Sequence, residues 1–137
     1  MPVDLDECPC SGKNMSTLLA PWILLTLYRH EGTHGYEIQK MIQQRLCELG
    51  LGSNIAGLYR HLKMLEKRGL VKPIWDTGET GPARRTFFLT EAGKECLARW
   101  MKTLSIQMSL IGKLLDEANR TFLPLTSSAD IAHKDDL

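Results

Sequence analysis

The chain has 137 residues, 43% of them hydrophobic, which suits one ordinary domain and is too short for two independent ones. Its formal net charge of +1 gives no overall signal for nucleic-acid binding. No apolar run reaches the roughly 18 residues that a bilayer span requires, and Asp4, Asp6 and Glu7 stand where a signal peptide carries positive charge. We therefore expect a cytoplasmic protein without a membrane partner, whose four cysteines are reduced.

Both ends of the chain have the composition of irregular segments. Residues 1–14 combine prolines, Gly12 and acidic side chains without an apolar period, which predicts an irregular arm. Residues 123–137 have Pro124 near their start and the polar stretch 133–136 near their end, which predicts a flexible tail. The folded part is therefore expected between residues 15 and 122.

Three short helices are predicted first. An apolar helix runs from residue 16, or from Pro21 in its first turn, to residue 30. A turn with Thr33 as N-cap precedes a second helix over residues 36–46, in which apolar residues recur every four positions. Ser53 is expected to cap a third helix that ends at Gly69 and has the buried face Ile55, Leu58, Leu62 and Leu65. This spacing is typical of a helix-turn-helix.

A two-stranded wing and a long helix are predicted next. Residues 70–75 and 86–89 are rich in residues that favour strands, and the loop between them contains glycine and proline. Pro73 cannot donate to a ladder, so its strand is expected at a sheet edge. Thr90 is placed to cap a helix that extends to about Asn119. The predicted fold is mainly α with a small β-wing.

The predicted third helix has a polar face that carries mainly hydrogen-bond donors. Residues 53–90 contain seven basic and three acidic residues, a local balance of +4 in a nearly neutral chain. Such donors suit base edges and phosphates of DNA, and Arg84 and Arg85 at the mouth of the hairpin suit the minor groove or phosphates. An ordinary solvated helix has a similar face, and Gly57 in it suits either a DNA groove or close helix packing.

Three motifs in order resemble the PadR-type winged-helix transcriptional regulators: HGYEI at residues 34–38, GLYRHLKMLEKRGLV at residues 57–71 and FLTEAG at residues 88–93. The resemblance covers residues 18–100 and implies a winged helix-turn-helix domain over residues 15–90, a dimerisation helix over residues 91–122, and a repressor released by a small effector. It implies that Tyr59 contacts the DNA backbone or packs at its edge, and that Tyr36 is structural or faces a phosphate. The residues expected to bind DNA are Ser53, Asn54, Gly57, Tyr59, Arg60, Lys63, Lys67, Arg84 and Arg85.

The predicted last helix has a heptad seam. Its apolar residues alternate spacings of four and three, at Leu97, Met101, Leu104, Met108, Ile111 and Leu115. This pattern predicts a homodimer, although a helix packed only on its own domain gives a similar one. A two-fold dimer would place two third helices about one DNA turn apart and would bind a pseudo-palindromic operator on double-stranded DNA.

The resemblance also implies an effector pocket lined by aromatic residues of the first and last helices. Trp22 and Trp100 are the candidates in this chain, with core packing as the alternative for each.

Cys8 and Cys10 form a close thiol pair outside the resemblance, and such pairs bind soft metals or sense oxidants. No second pair completes a metal site by spacing, so incidental cysteines are the alternative and no metal or cofactor is predicted. The chain lacks a phosphate-binding glycine loop and a nucleophile elbow, which argues against an enzyme. A winged-helix module used only for protein association remains the other alternative.

Overall fold

The computed structural model describes residues 4–6, 9–11, 18–50, 57–76 and 84–122. Within these residues a short 3-10 turn, Pro9–Ser11, precedes four helices and three strands. In chain order the elements are α1 (Leu19–Arg29), β1 (Thr33–His34), α2 (Gly35–Glu48), α3 (Leu58–Lys67), β2 (Val71–Asp76), β3 (Arg84–Leu89) and α4 (Glu91–Phe122). The predicted fold class, mainly α with a small β-wing and a long last helix, is confirmed.

The apolar faces of α1, α2 and α3 form the core together with the sheet. Helix α2 buries Ile38, Ile42 and Leu46, and their spacing of four residues places them on one side of the helix. The other large buried side chains are Leu19, Ile23, Leu24 and Leu27 of α1, Leu58, Leu62 and Leu65 of α3, Val71, Phe87 and Leu89 of the sheet, and Leu97 of α4. The helical period predicted from the sequence therefore determines which face of each helix is covered.

Pro21 lies in the first turn of α1, as the sequence predicted. A proline is tolerated there because the N–H groups of a first helical turn have no partner within the helix. The hydroxyl of Thr26, which is buried, donates to the carbonyl of Trp22 at 2.7 Å and so has its partner within the helix.

The sheet has three antiparallel strands in the order β1–β3–β2. Strand β2 lies at an edge and places Pro73 opposite Phe87, so the prediction of an edge strand around this proline is confirmed. An edge strand suits this residue, because proline has no backbone N–H to donate to a further strand on the other side of β2.

Strand β1 was not predicted. Thr33 was expected to cap α2, but it pairs with Phe87 of β3 and its hydroxyl donates to the carbonyl of His30. Helix α2 instead begins at Gly35 after His34, which makes no side-chain capping hydrogen bond. The prediction of a capping turn was wrong because a two-residue strand has no sequence period and depends on a partner more than 50 residues away.

Helix α4 is fixed at its start by Thr90 and Gly93. The Gly93 N–H donates to the Thr90 hydroxyl oxygen at 3.0 Å, which confirms the predicted cap, and that hydroxyl donates to the Gly69 carbonyl at 2.7 Å. A Cβ atom on Gly93 would clash with the carbonyl oxygen of Leu70 and lie 3.0 Å from Leu89. Only glycine therefore lets the first turn of α4 pack on the connection between α3 and β2.

The chain divides into two units, residues 1–97 and 98–137, with the boundary inside α4. Leu97, the first seam residue, is buried in the first unit. In the second unit Met101, Met108, Ile111 and Leu115 are exposed, and Met108 reaches 73%. Among the described helices none is both long and apolar enough to cross a bilayer.

Candidate nucleic-acid interface

Helix α3 separates an apolar face from a basic one. Leu58, Leu62 and Leu65 are buried, whereas the exposed residues of the helix include Tyr59, Arg60, Lys63 and Lys67. Arg60, Lys63 and Lys67 are spaced three and four residues apart, so their charges share one side of the helix. This surface matches the donors and cations predicted for the third helix.

The start of α3 differs from the prediction. The helix begins at Leu58, and Gly57 precedes it in the left-handed region with φ of +89°, so the helix does not run unbroken through Gly57 as expected. Ser53 and Asn54 lie outside the described residues. The sequence spacing of three between Ile55 and Leu58 fits a helix and therefore gave no sign of the turn at Gly57.

Gly57 therefore shapes the turn before the helix and is not a residue of its face. Its carbonyl accepts hydrogen bonds from the His61 N–H and from His61 Nδ1, both at 2.9 Å. A Cβ atom at Gly57 would lie 3.0 Å from a guanidinium nitrogen of Arg60. The glycine thus allows both the left-handed turn and the position of the Arg60 side chain.

The wing is the hairpin of β2 and β3, and its loop, residues 77–83, lies outside the described residues. Arg84 opposes Asp76 in the ladder and is exposed, whereas Arg85 opposes Trp75 and is partly buried. Nη2 of Arg85 lies 2.7 Å from both carboxylate oxygens of Glu66 on α3. Glu66 was not among the predicted site residues, since a single carboxylate on a basic helix gives no signal of its partner 19 residues away.

A cleft of about 580 Å³ joins the start of α2 to α3 and the wing. Its lining is His34, Gly35, Tyr36, Glu37, Tyr59, Arg84 and Arg85. Tyr36 and Tyr59 are exposed, and Lys40 Nζ lies 5.3 Å from the centre of the Tyr36 ring. The structure thus brings the two tyrosines of the family motifs and both wing arginines to one cleft. The tyrosine hydroxyls and the exposed guanidinium of Arg84 are donors that suit a DNA phosphate, whereas Arg85 is already paired with Glu66.

The two tryptophans proposed for an effector pocket fall in different units. Trp22 lines a pocket of about 210 Å³ between α1 and α2, with Arg29 and Arg45 also in its wall. Trp100 is partly exposed and belongs to the second unit.

The thiol pair is only partly described. Cys8 lies outside the described residues, and Cys10 is exposed with its Sγ 3.8 Å from the carbonyl oxygen of Leu5. Within the described part of the chain no three His, Cys, Asp or Glu side chains are placed to hold a metal ion.

Three packed helices, the third of which has an exposed basic side, and an adjoining β-hairpin define a winged helix-turn-helix protein. The PadR-like family of transcriptional regulators matches residues 23–99, more than half of the chain. The chain belongs to this family, which confirms the resemblance seen in its motifs. Its members are non-enzymatic DNA-binding regulators, so the chain is a DNA-binding transcriptional regulator and the prediction that it is not an enzyme is confirmed.

Solved structures with the same fold include several regulators. TA0346 from Thermoplasma acidophilum, a candidate transcriptional regulator, is 27% identical over 72% of this chain and 91% of its own, with a TM-score of 0.59. A PadR-like transcription factor from Bacteroides fragilis is 24% identical over 71% and 89%, with a TM-score of 0.55. A PadR family regulator from Clostridium difficile R20291 is 22% identical over 71% and 97%, with a TM-score of 0.60. No curated protein matches the chain.

Proposed function

We propose that the chain is a cytoplasmic, homodimeric repressor that binds a pseudo-palindromic operator and is released from it by a small effector. The observation that carries this proposal is the basic side of α3, where Arg60, Lys63 and Lys67 are exposed beside the wing. An exposed helix with cations at this spacing fits the major groove, where it contacts base edges and adjoining phosphates.

The contacts to DNA divide between the helix and its surroundings. Arg60, being bidentate, suits a base edge such as that of guanine, and Lys63 and Lys67 suit phosphates. Tyr36 and Tyr59 in the cleft donate hydrogen bonds from their hydroxyl groups to the DNA backbone. Arg84 reaches the flanking groove of the DNA from the wing. Ser53 and Asn54, ahead of α3, remain candidates for base contacts.

Pairing of two chains follows from the seam of α4. Met108, Ile111 and Leu115 are each more than half exposed in the single chain, and large apolar side chains in heptad register are covered by a second helix in a coiled coil. The occupant that fits such a seam is a second copy, because its own seam has the same spacing. A two-fold axis through α4 would give each dimer two α3 helices.

The pocket beside Trp22 is the proposed effector site. The indole supplies a flat apolar wall, and Arg29 and Arg45 supply donors, although Arg45 also lies 3.9 Å from Glu48. An effector suited to this lining has an apolar ring or chain and a hydrogen-bond acceptor or negative charge.

The test of DNA binding begins with a duplex of about 30 base pairs, roughly three helical turns, selected from a random library by the wild-type protein. Arg60→Ala and Lys63→Ala are each expected to lower its affinity about tenfold, and Lys63→Ala to reduce the salt dependence by about one ion. Lys102→Ala removes the same charge from α4 and should leave affinity unchanged.

Two results would contradict the DNA-binding assignment to α3. One is an affinity that is unaffected by both substitutions on the helix. The other is a selection that yields no duplex at all, which would favour the protein-association alternative.

A further inference from the structure

Arg85 lies on the side of β3 that faces the protein core. Side chains alternate along a strand, and Phe87 and Leu89, which share this side with Arg85, are buried. Arg84 projects to the opposite side and is exposed. The two arginines, which look equivalent in the sequence, therefore leave the strand in different directions and differ in exposure, although both reach the lining of the cleft.

The guanidinium of Arg85 is held by α3. Its Nη2 donates to both carboxylate oxygens of Glu66 at 2.7 Å, and the two side chains are only 38% and 30% exposed. Partial withdrawal from solvent makes such a charge-assisted bond stronger than one between fully exposed groups. Because the carboxylate compensates the guanidinium, the pair has little net charge to attract a phosphate.

Two aromatic rings complete the surroundings of Arg85. Its guanidinium carbon lies 5.9 Å from the ring centre of Trp75 on β2 and 5.3 Å from that of Phe87 on β3, both within the range of cation–π contacts. Trp75 is also the ladder partner of Arg85 across the hairpin. One guanidinium thus joins both strands of the wing to α3.

From this geometry we propose that Arg85 is a positioning residue, which through Glu66 fixes the wing against α3, and is not a ligand of DNA. The inference rests on the proposed DNA-binding function, because its effect is to set where Arg84 lies relative to Lys63 and Lys67. Without the ion pair Arg84, Lys63 and Lys67 are all still present. The wing, however, is no longer held in the orientation that brings Arg84 and the two lysines of α3 to the same duplex.

The test compares the affinity of variants for the selected duplex over a series of salt concentrations. Glu66→Ala and Arg85→Ala are each expected to weaken binding about three- to tenfold, and the double variant no more than either single one. The salt dependence should be the same for Glu66→Ala and Arg85→Ala, since neither substitution removes a cation that binds phosphate. If Arg85 binds a phosphate, Glu66→Ala tightens binding and Arg85→Ala lowers the salt slope by about one, and either result overturns the proposal.

Thermal unfolding shows which variants fold. If Arg85→Ala does not fold, Glu66→Gln shows whether loss of the ion pair weakens or tightens DNA binding. The amide keeps the shape of Glu66 without its charge, so weaker binding supports the proposal and tighter binding overturns it. Asp116→Asn is the control, because it neutralises the carboxylate 3.1 Å from Arg120 on α4 and should leave affinity unchanged. A wild-type protein that binds no duplex contradicts the proposed function, whereas tighter binding by Glu66→Gln contradicts only the role of Arg85.

Discussion

At Gly57 the backbone adopts φ of +89°, a conformation that costs a residue with a side chain about 1–2 kcal/mol. The turn it makes decides where α3 begins and therefore which residues of the basic segment are helical. The sequence predicted the exposed cations of α3 because Leu58, Leu62 and Leu65 repeat at helical spacing. The turn itself has no such period, and the partner of Arg85 depends on folding, so neither was predictable.

Gly57→Ala is expected to lower the free energy of unfolding by about 1–2 kcal/mol and to weaken DNA binding, because the new Cβ meets the Arg60 side chain at 3.0 Å. Denaturant unfolding and the affinity for the selected duplex measure the two effects. Gly50→Ala is the matched control: Gly50 also has a positive φ, +74°, but a Cβ there has nothing within 4 Å. Equal losses of DNA affinity in the two variants would contradict the role given to Gly57.

Among the secondary-structure elements, those with a long sequence period were predicted and those made by distant pairing were not. Helices α1 and α2 follow apolar spacing, and β2 follows its strand-forming residues with Pro73 at the edge. Strand β1 exists only because Thr33 meets Phe87, a contact that no local pattern encodes. The start of α4 was predicted from Thr90, but its close packing on the connection after α3 was visible only in the structure.

Gly93→Ala tests that packing. The added methyl group would clash with the Leu70 carbonyl oxygen, so the free energy of unfolding should fall by about 1–3 kcal/mol, which lowers Tm by at least about 4 °C. Gly112→Ala, in the same helix with nothing within 4 Å of its Cβ, should instead raise stability by up to about 1 kcal/mol. Thermal unfolding of the two variants measures the difference, and an unchanged Tm in Gly93→Ala would refute the close approach.

For the molecule as a whole, family membership identifies a DNA-binding regulator, and the exposed seam of α4 supports the proposal of a dimer. A single winged-helix domain has one set of cations for DNA. In a dimer the second domain binds the same duplex as an intramolecular step, so the two domains together bind more tightly than either alone. The seam was predictable because a heptad repeat is a property of sequence alone. The homodimer that the seam predicts stays a prediction, because a single chain contains only one side of an interface.

Hydroxyl-radical footprinting of the selected duplex tests the paired arrangement most directly. The wild-type protein should protect two symmetric half-sites about one helical turn apart, which one chain with a single α3 cannot cover. Ile111→Asp, which places a charge in the seam, should sediment as a monomer and bind at least about tenfold more weakly, whereas Lys113→Asp outside the seam should remain dimeric. One protected segment without dyad symmetry, with the same affinity in Ile111→Asp, would contradict the account.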